Sequence, residues 1–542
     1  MATHEVFNQP PPLEEYDLYG ADPVLAGATE AAGAGWASED LHRLGKLAGS
    51  AEAIQWGFDA NAYPPVLRTH DRFGHRVDRV EYHPSYHRLM ETAVRAGLHG
   101  APWADPRPGA HVARAAGFYV WSQVEAGHGC PISMTYSVVP ALAADRRLSE
   151  EWAPRLTNRE YDPRPAPAAD KTGSIAGMAM TEKQGGSDVR ANTTRAEPEG
   201  GEDGGYRLTG HKWFCSAPMS DVFLMLAQAP RGLSCFVVPR WDPAGDGNGI
   251  AIQRLKDKMG NRSNASSEIE MDRAWGRLLG EEGRGVATIM EMVQHTRLDC
   301  LIGAAAGMRQ AVVQALHHCR HRRAFGSVLV DQPLMRNVLA DLALESRAAT
   351  AVMVRVASAY DRAATVPHER SFRRLATAVG KYWLCKRNPM LAAEALECLG
   401  GNGYVEESIT ARLFRESPLN GIWEGSGNVI ALDVLRTMAR DPASVAAFLD
   451  ELRLASGADQ RFDASLHSLE KELSDLDHIE TRARRITELM AVLLEASLLV
   501  REGDAAASDA FCASRLGGDW GRAFGTLPPA VVTEAILERA LA

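Results

Sequence analysis

Apolar positions change their spacing twice along this chain of 542 residues. Up to about residue 170 they recur at steps of three and four, as in HPSYHRLMETAVRAGL and HVARAAGFYVWSQVEAG, the period of amphipathic helices. A leader, FNQPPPL, precedes them. Its prolines, Pro10 to Pro12, exclude a helix and predict an extended arm lying over the domain surface or a neighbouring subunit. From about 171 to 280 the period shortens. YRLTGHKWFCS, DVFLMLAQA, LSCFVVPR and SSEIEMDRA are short, rich in β-forming residues and partly alternating, with turn-like pieces such as GEDGG, APRG and DPAGDGNG between them. No long helical pattern intervenes, so an antiparallel barrel or sandwich is predicted. The helical period returns at GRGVATIMEMV and persists to about 440, in stretches long enough for a bundle. The reading is a multidomain α+β chain in four parts: an N-terminal helical domain with its leader (1–170), a middle β domain (171–280), a helical bundle (281–440) and a C-terminal helical domain (441–542).

Bulk properties narrow the function. The 59 Lys and Arg against 69 Asp and Glu leave a net charge of −10, which argues against a general nucleic-acid binder. The eight cysteines are scattered without a CxxC pair and read as small buried hydrophobes in a reducing compartment. No metal-ligand spacing appears, and no metal is expected. The N-terminus lacks the basic-then-apolar pattern of a secretory signal, and no segment has the length and purity of a membrane span. A cytoplasmic location is the expectation.

Two patches in the β region could carry chemistry. MTEKQGGSDV, Met180 to Val189, sets Gly185 and Gly186 beside Ser187. Glycines allow close backbone approach, and a hydroxyl with nearby amides can hold phosphate or ring carbonyl oxygens. The same loop also reads as a plain polar β-turn. In HKWFCS, alternation puts Phe214 and Ser216 on one strand face and Trp213 and Cys215 on the other. An aromatic and a hydroxyl so placed suit a flavin ring, and equally a strand filling a core.

In order and spacing these patches resemble the acyl-CoA dehydrogenase family. TEKQGGSD stands for its TEP-then-GSD signature, with Lys183 for the proline, and GHKWFCSA for its GxKxW-I-T/S-N run, with Ala217 for the asparagine. KMGNRSNAS resembles KLGIRGSST, departing at Asn261 and Asn264; RRAFG fits RxxFG; LECLGGNGYVEE resembles QILGGxGY, with Glu397 for the glutamine. The resemblance implies bound FAD, held by Met180, Thr181, Gly185, Gly186, Ser187, Phe214 and Ser216, with Arg322, Phe325, Gly400 and Gly401 reaching the FAD of a neighbouring subunit. It also implies a homotetramer, a dimer of dimers. The glutamine that follows RxxFG in the family is out of register, because Pro333 holds its place and Gln332 falls one residue early.

LNGIWEGSGNVI resembles the family's YEGT-type loop, which implies Glu424 as the catalytic base for an acyl-CoA α-proton and Trp423, Ser426 and Asn428 as cofactor neighbours. Some relatives carry the base before an arginine on an earlier helix; the matching pair is Thr296 and Arg297, so that base is absent. Glu424 could instead orient its loop or cap a helix. The bulk of Trp423, with Asn261 and Asn264, is expected to narrow an acyl channel.

The leader, the intact MTEKQGGSDV, IWEGSGN and the C-terminal extension narrow the resemblance to a subgroup tied to the bacterial adaptive response to DNA alkylation. That implies double-stranded DNA as a partner, and protection by binding or by flavin-dependent inactivation of alkylating agents. Composition opposes it: residues 441–542 hold ten Lys and Arg against eighteen Asp and Glu. Local candidates are Arg482, Arg484 and Arg485, with Arg515 and Arg522. The alternative is a metabolic short- or branched-chain acyl-CoA dehydrogenase using Glu424 and FAD.

Overall fold

The computed structural model describes residues 3–200 and 204–540, so of the GEDGG turn only Gly204 and Gly205 are described. The chain forms two compact units that do not follow chain order. One comprises Met1–Ala51, Arg107–Val124 and Arg297–Ala542, the other Glu52–Pro106 and Glu125–Thr296.

The second unit is built on strands. A hairpin, β1 (Val66–His70) and β2 (Arg76–Glu81), precedes β3 (Ala176–Ala179), β4 (Arg195–Pro198), β5 (Gly205–Ser216), β6 (Val222–Ala229), β7 (Gly232–Pro239), β8 (Ile250–Leu255) and β9 (Ser266–Leu279). The larger sheet runs β3-β6-β4-β5-β9-β7 with β8 on β9, and β7 pairs back onto β6, closing a barrel. It is not wholly antiparallel: β3 and β4 both run parallel to β6. The chain between β3 and β6 is long enough to return in the same direction, which a tight hairpin cannot do.

Alternation is weak in β6 and β7 because both faces are covered. Val222, Leu224 and Leu226 join a core with the Gly129–Leu142 and Arg146–Leu156 helices, while Phe223, Met225 and Ala227 fill a second core with Leu208, Phe236 and Ile269. A strand buried on both sides reads as a continuous apolar run.

The first unit is helical. Pro333–Arg362 and Pro367–Cys398 each begin on a proline, whose missing N–H and fixed φ suit a first helical position. The C-terminal helices belong to this unit, stitched to the bundle by buried ion pairs. Arg355 bridges Glu369 and Glu451, and Arg347 pairs with Glu502 and Asp504. Among the described residues no helix is long and apolar enough to cross a membrane.

Candidate functional site

In the second unit the Met180–Val189 loop is laid along β5. Trp213 N–H donates to the Thr181 carbonyl at 2.8 Å, Lys183 N–H to His211 Nε2 at 3.0 Å, and Asn192 Nδ2 to the Met180 carbonyl at 2.9 Å. Beneath the loop Lys212 Nζ pairs with Glu182 Oε1 at 2.8 Å, both side chains fully buried. Lys212 also donates to the Leu226 carbonyl at 2.7 Å, and Glu182 accepts the N–H groups of Thr193 at 2.6 Å and Thr194 at 3.2 Å. Burial pulls the Lys212 pKa down. Burial pushes Glu182 up, but the Lys212 charge beside it prevails and holds its carboxyl below the usual range.

A β-bulge between Lys212 and Cys215 breaks the expected alternation. Lys212 and Cys215, three residues apart, are both buried, and the extra residue turns Phe214 outward, 51% exposed. Trp213 is not its simple opposite: the Lys256 ammonium stands 3.5 Å from the Trp213 ring and 4.6 Å from that of Phe214. The Ser216 hydroxyl lies 3.5 Å from that of Ser266. Gly186 passes Thr181 so closely that a Cβ would meet Oγ1 at 2.6 Å, whereas Gly185 faces open space. Ala217 holds a left-handed backbone (φ 49°), in which the family's asparagine is more at ease than alanine.

A second carboxylate organises the adjoining segment. Glu125, buried, accepts from Asn61 Nδ2 at 3.0 Å, Ser263 Oγ at 2.7 Å, Gly127 N–H at 2.8 Å and His128 N–H at 2.9 Å. Asn261 (φ 56°) supplies the left-handed residue of the bend, and Asn264 Nδ2 donates to Asn261 Oδ1 at 3.3 Å. The two departures from KLGIRGSST therefore serve the loop's own geometry. Lys258 donates to the Asn264 carbonyl at 2.6 Å, and burial brings its pKa down to about 8.

In the first unit the residues around Glu424 are gripped by two cations. Lys381, buried, donates to the Trp423 carbonyl at 2.8 Å and the Gly425 carbonyl at 2.5 Å; Arg297 Nε donates to the Glu424 carbonyl at 3.0 Å. Arg297 is itself held by Asp433 at 2.6 Å, which also takes Arg374 at 3.1 Å. Glu424 sits in the left-handed region (φ 57°), and Trp423 Nε1 donates to Asn420 Oδ1 at 2.8 Å. Ser426 occupies the N-cap of the Gly427–Arg440 helix without a side-chain capping bond, and Asn428 is exposed on its first turn. Thr296, at the position where some relatives carry the base, donates its Oγ1–H to the Val293 carbonyl inside its own helix at 3.1 Å.

Also in this unit, Arg322 precedes a hairpin of Arg323–Ala324 and Ser327–Val328 whose turn residues, Phe325 (φ 51°) and Gly326 (φ 82°), both have the positive φ of a type I′ turn. Phe325 is 99% exposed. Gly400 (φ 60°) and Gly401 face open space. Among the described residues no carboxylate ion-pairs with Arg322, which is half-buried. A half-exposed ring beside a hydroxyl, an open glycine loop and an unneutralised guanidinium fit the ring and diphosphate of FAD, each within its own unit.

The basic cluster of the C-terminal region is largely spent on the fold. Arg515 is buried against Asp341 at 2.6 Å and Glu345 at 3.0 Å, so it offers no charge to a phosphate, contrary to the expectation from sequence. Arg482 is neutralised by Glu472 and bonded to the Asp475 carbonyl at 2.6 Å, which removes it as well. Arg485 leans on Glu472 at 3.5 Å, while Arg484, exposed, lies near Gly427 together with Lys386. Arg522 is exposed.

Helices, a β-barrel and a helical bundle in this arrangement define the acyl-CoA dehydrogenase fold, a class of flavin-dependent oxidoreductases. Sequence models agree along the chain: "Adaptive response protein AidB N-terminal domain" matches residues 8–163, "Acyl-CoA dehydrogenase, middle domain" 177–274, and "Acyl-CoA dehydrogenase, C-terminal domain" 283–439. The chain is 45% identical over 513 residues to the AidB protein of Escherichia coli (strain K12), covering 94% of each. It is 29% identical over 468 residues to acyl-CoA dehydrogenase family member 11 of Caenorhabditis elegans, covering 82% of this chain and 74% of that one. The crystal structure of Caenorhabditis elegans ACDH-11 in complex with C11-CoA superposes with a TM-score of 0.85 at 26% identity, covering 95% of this chain and 92% of that one. This chain therefore belongs to the acyl-CoA dehydrogenase family, in its AidB subgroup.

Proposed function

We propose that the chain is a FAD-dependent oxidoreductase of acyl-CoA thioesters in which Glu424 removes the α-proton. The observation that carries this is the grip of Lys381 and Arg297 on three consecutive carbonyls around Glu424. Holding a non-glycine residue in the left-handed region costs about 1–3 kcal/mol, and such strain persists where the surroundings over-determine it, typically at functional positions. A helix cap or plain loop acid needs no such support. Phe214, Ser216 and the Met180–Ser187 loop would hold the ring system of one FAD, and Arg322, Gly400 and Gly401 the diphosphate of a neighbouring subunit's FAD. FAD, when bound, supplies the hydride acceptor. The Glu424 carboxylate takes the α-proton onto an oxygen, and the fixed backbone keeps it from swinging away. The C11-CoA in the Caenorhabditis elegans relative supports the substrate class. Anaerobic titration with an acyl-CoA panel is expected to bleach the flavin absorbance; no bleaching by any ester would refute this reading.

A second reading, protection of double-stranded DNA from alkylation, follows the subgroup. What favours it is that Lys386 and Arg484 come together beside Gly427 while no carboxylate among the described residues ion-pairs with either. Charge reversal is not needed to test it. Replacing Lys386 and Arg484 by glutamine is expected to weaken duplex binding and to lower the slope of log affinity against log salt by about one per lost phosphate contact. Equal slopes and affinities would exclude this cluster.

The same reading places the protein in the cytoplasm as a homotetramer. Phe325, Leu334 and Tyr404, exposed at 99%, 83% and 80%, are apolar surface that a second copy would cover. Sedimentation is expected to show a tetramer, and a monomer at assay concentrations would count against it.

A further inference from the structure

The leader lies outside the motifs assigned to the flavin, yet it is bonded to both first-unit segments assigned to the diphosphate. Asn8 has a left-handed backbone (φ 56°). Its Oδ1 accepts the Arg323 N–H at 2.8 Å and its Nδ2 donates to the Arg323 carbonyl at 3.0 Å, pairing with that residue much as a neighbouring strand would. The Asn8 carbonyl accepts from Arg322 Nη1 at 2.6 Å. Next to it, Gln9 Oε1 accepts from Asn402 Nδ2 at 3.4 Å, and the Pro11 carbonyl accepts from His317 Nε2 at 2.8 Å. Three leader residues, Asn8, Gln9 and Pro11, thus reach the last turn of the Gly285–His321 helix, the hairpin after it and the Gly401–Tyr404 turn.

What the leader does to Arg322 is specific. It supplies a neutral carbonyl to one guanidinium nitrogen, which orients the group without cancelling its charge. Two arginines of the same unit, Arg515 and Arg387, are instead buried against carboxylates. A guanidinium has five N–H donors, so the others stay available to an anion. The prolines reduce the freedom that the unbound arm would lose on docking.

We propose that Asn8 is a positioning residue for the FAD diphosphate, holding Arg322 in the orientation in which its remaining N–H groups meet phosphate oxygens. This rests on the FAD reading above.

The test is FAD affinity of the deflavinated full-length protein, followed by fluorescence quenching, together with amide exchange at Arg323. Asn8→Gly keeps the left-handed backbone and the carbonyl while deleting both side-chain bonds. It is expected to raise the FAD Kd roughly tenfold, the scale of one or two lost hydrogen bonds, and to speed exchange of the Arg323 amide. Arg322→Ala is expected to raise the Kd further, and the double variant to be no weaker than Arg322→Ala alone, because Asn8 acts through Arg322. An unchanged Kd in Asn8→Gly, or effects that simply add, overturns the proposal while the FAD reading stands. An unchanged Kd in Arg322→Ala overturns the proposal together with the assignment of Arg322 to the diphosphate, and failure of the parent protein to bind FAD overturns the FAD reading itself.

Discussion

Replacing Glu424 by glutamine is expected to slow reductive bleaching of the bound flavin by an acyl-CoA thioester by about 10²–10⁴-fold, the usual contribution of a positioned general base. Glutamine has nearly the same shape. It leaves the backbone carbonyl that accepts from Arg297 and the neighbouring carbonyls that accept from Lys381 in place. Only the ability to take a proton is lost, so FAD content and unfolding temperature should match those of the parent. Anaerobic stopped-flow absorbance separates the two effects. A bleaching rate equal to the parent's would strike Glu424 from the role of base.

The second large effect is one of stability. Lys212→Met is expected to destabilise the protein by about 3–5 kcal/mol, because it strands the Glu182 carboxylate in the barrel without its counter-charge. A urea midpoint measures it, and Lys212→Met with Glu182→Gln should recover part of the loss, since no charge is then left unpaired. The pH dependence gives a sharper sign. With Lys212 present, the Glu182 pKa is depressed when folded, so its contribution is present above the ordinary carboxylate range and is lost only as pH falls through the depressed value. Without Lys212 burial dominates and the folded pKa lies above the unfolded one. The variant should then lose stability as pH rises from about 5 to 8, where the parent gains none of that slope from this group. A flat difference between the two across that range would show that Glu182 is not stranded.

Much of the architecture was legible from spacing alone. Periods of three to four returned helices, and short β-rich runs with polar turns returned the barrel. The misread arginines share a physical cause, acidic partners that lie outside the stretch being read. TRARRITEL looked like a cationic surface because Glu472 stands ten residues before Arg482, and Arg515 looked free because Asp341 is 174 residues away. Alternation failed at Trp213 and Phe214, where one extra residue in the strand is invisible to a period-2 reading. Lys212 did leave a signal, a lone lysine in a strand whose neighbours fill cores. Lys381 left none, since its partners are backbone carbonyls that any sequence possesses.

A segment whose three successive carbonyls are tied to cations rooted in two long helices has no freedom to swing open as a lid. Breathing here would require breaking several charge-assisted bonds at once, far more than the fraying of an ordinary surface loop. Ligand entry and exit must therefore be timed by other parts of the molecule, and substitutions that tune turnover by changing mobility should be sought away from residues 423–425.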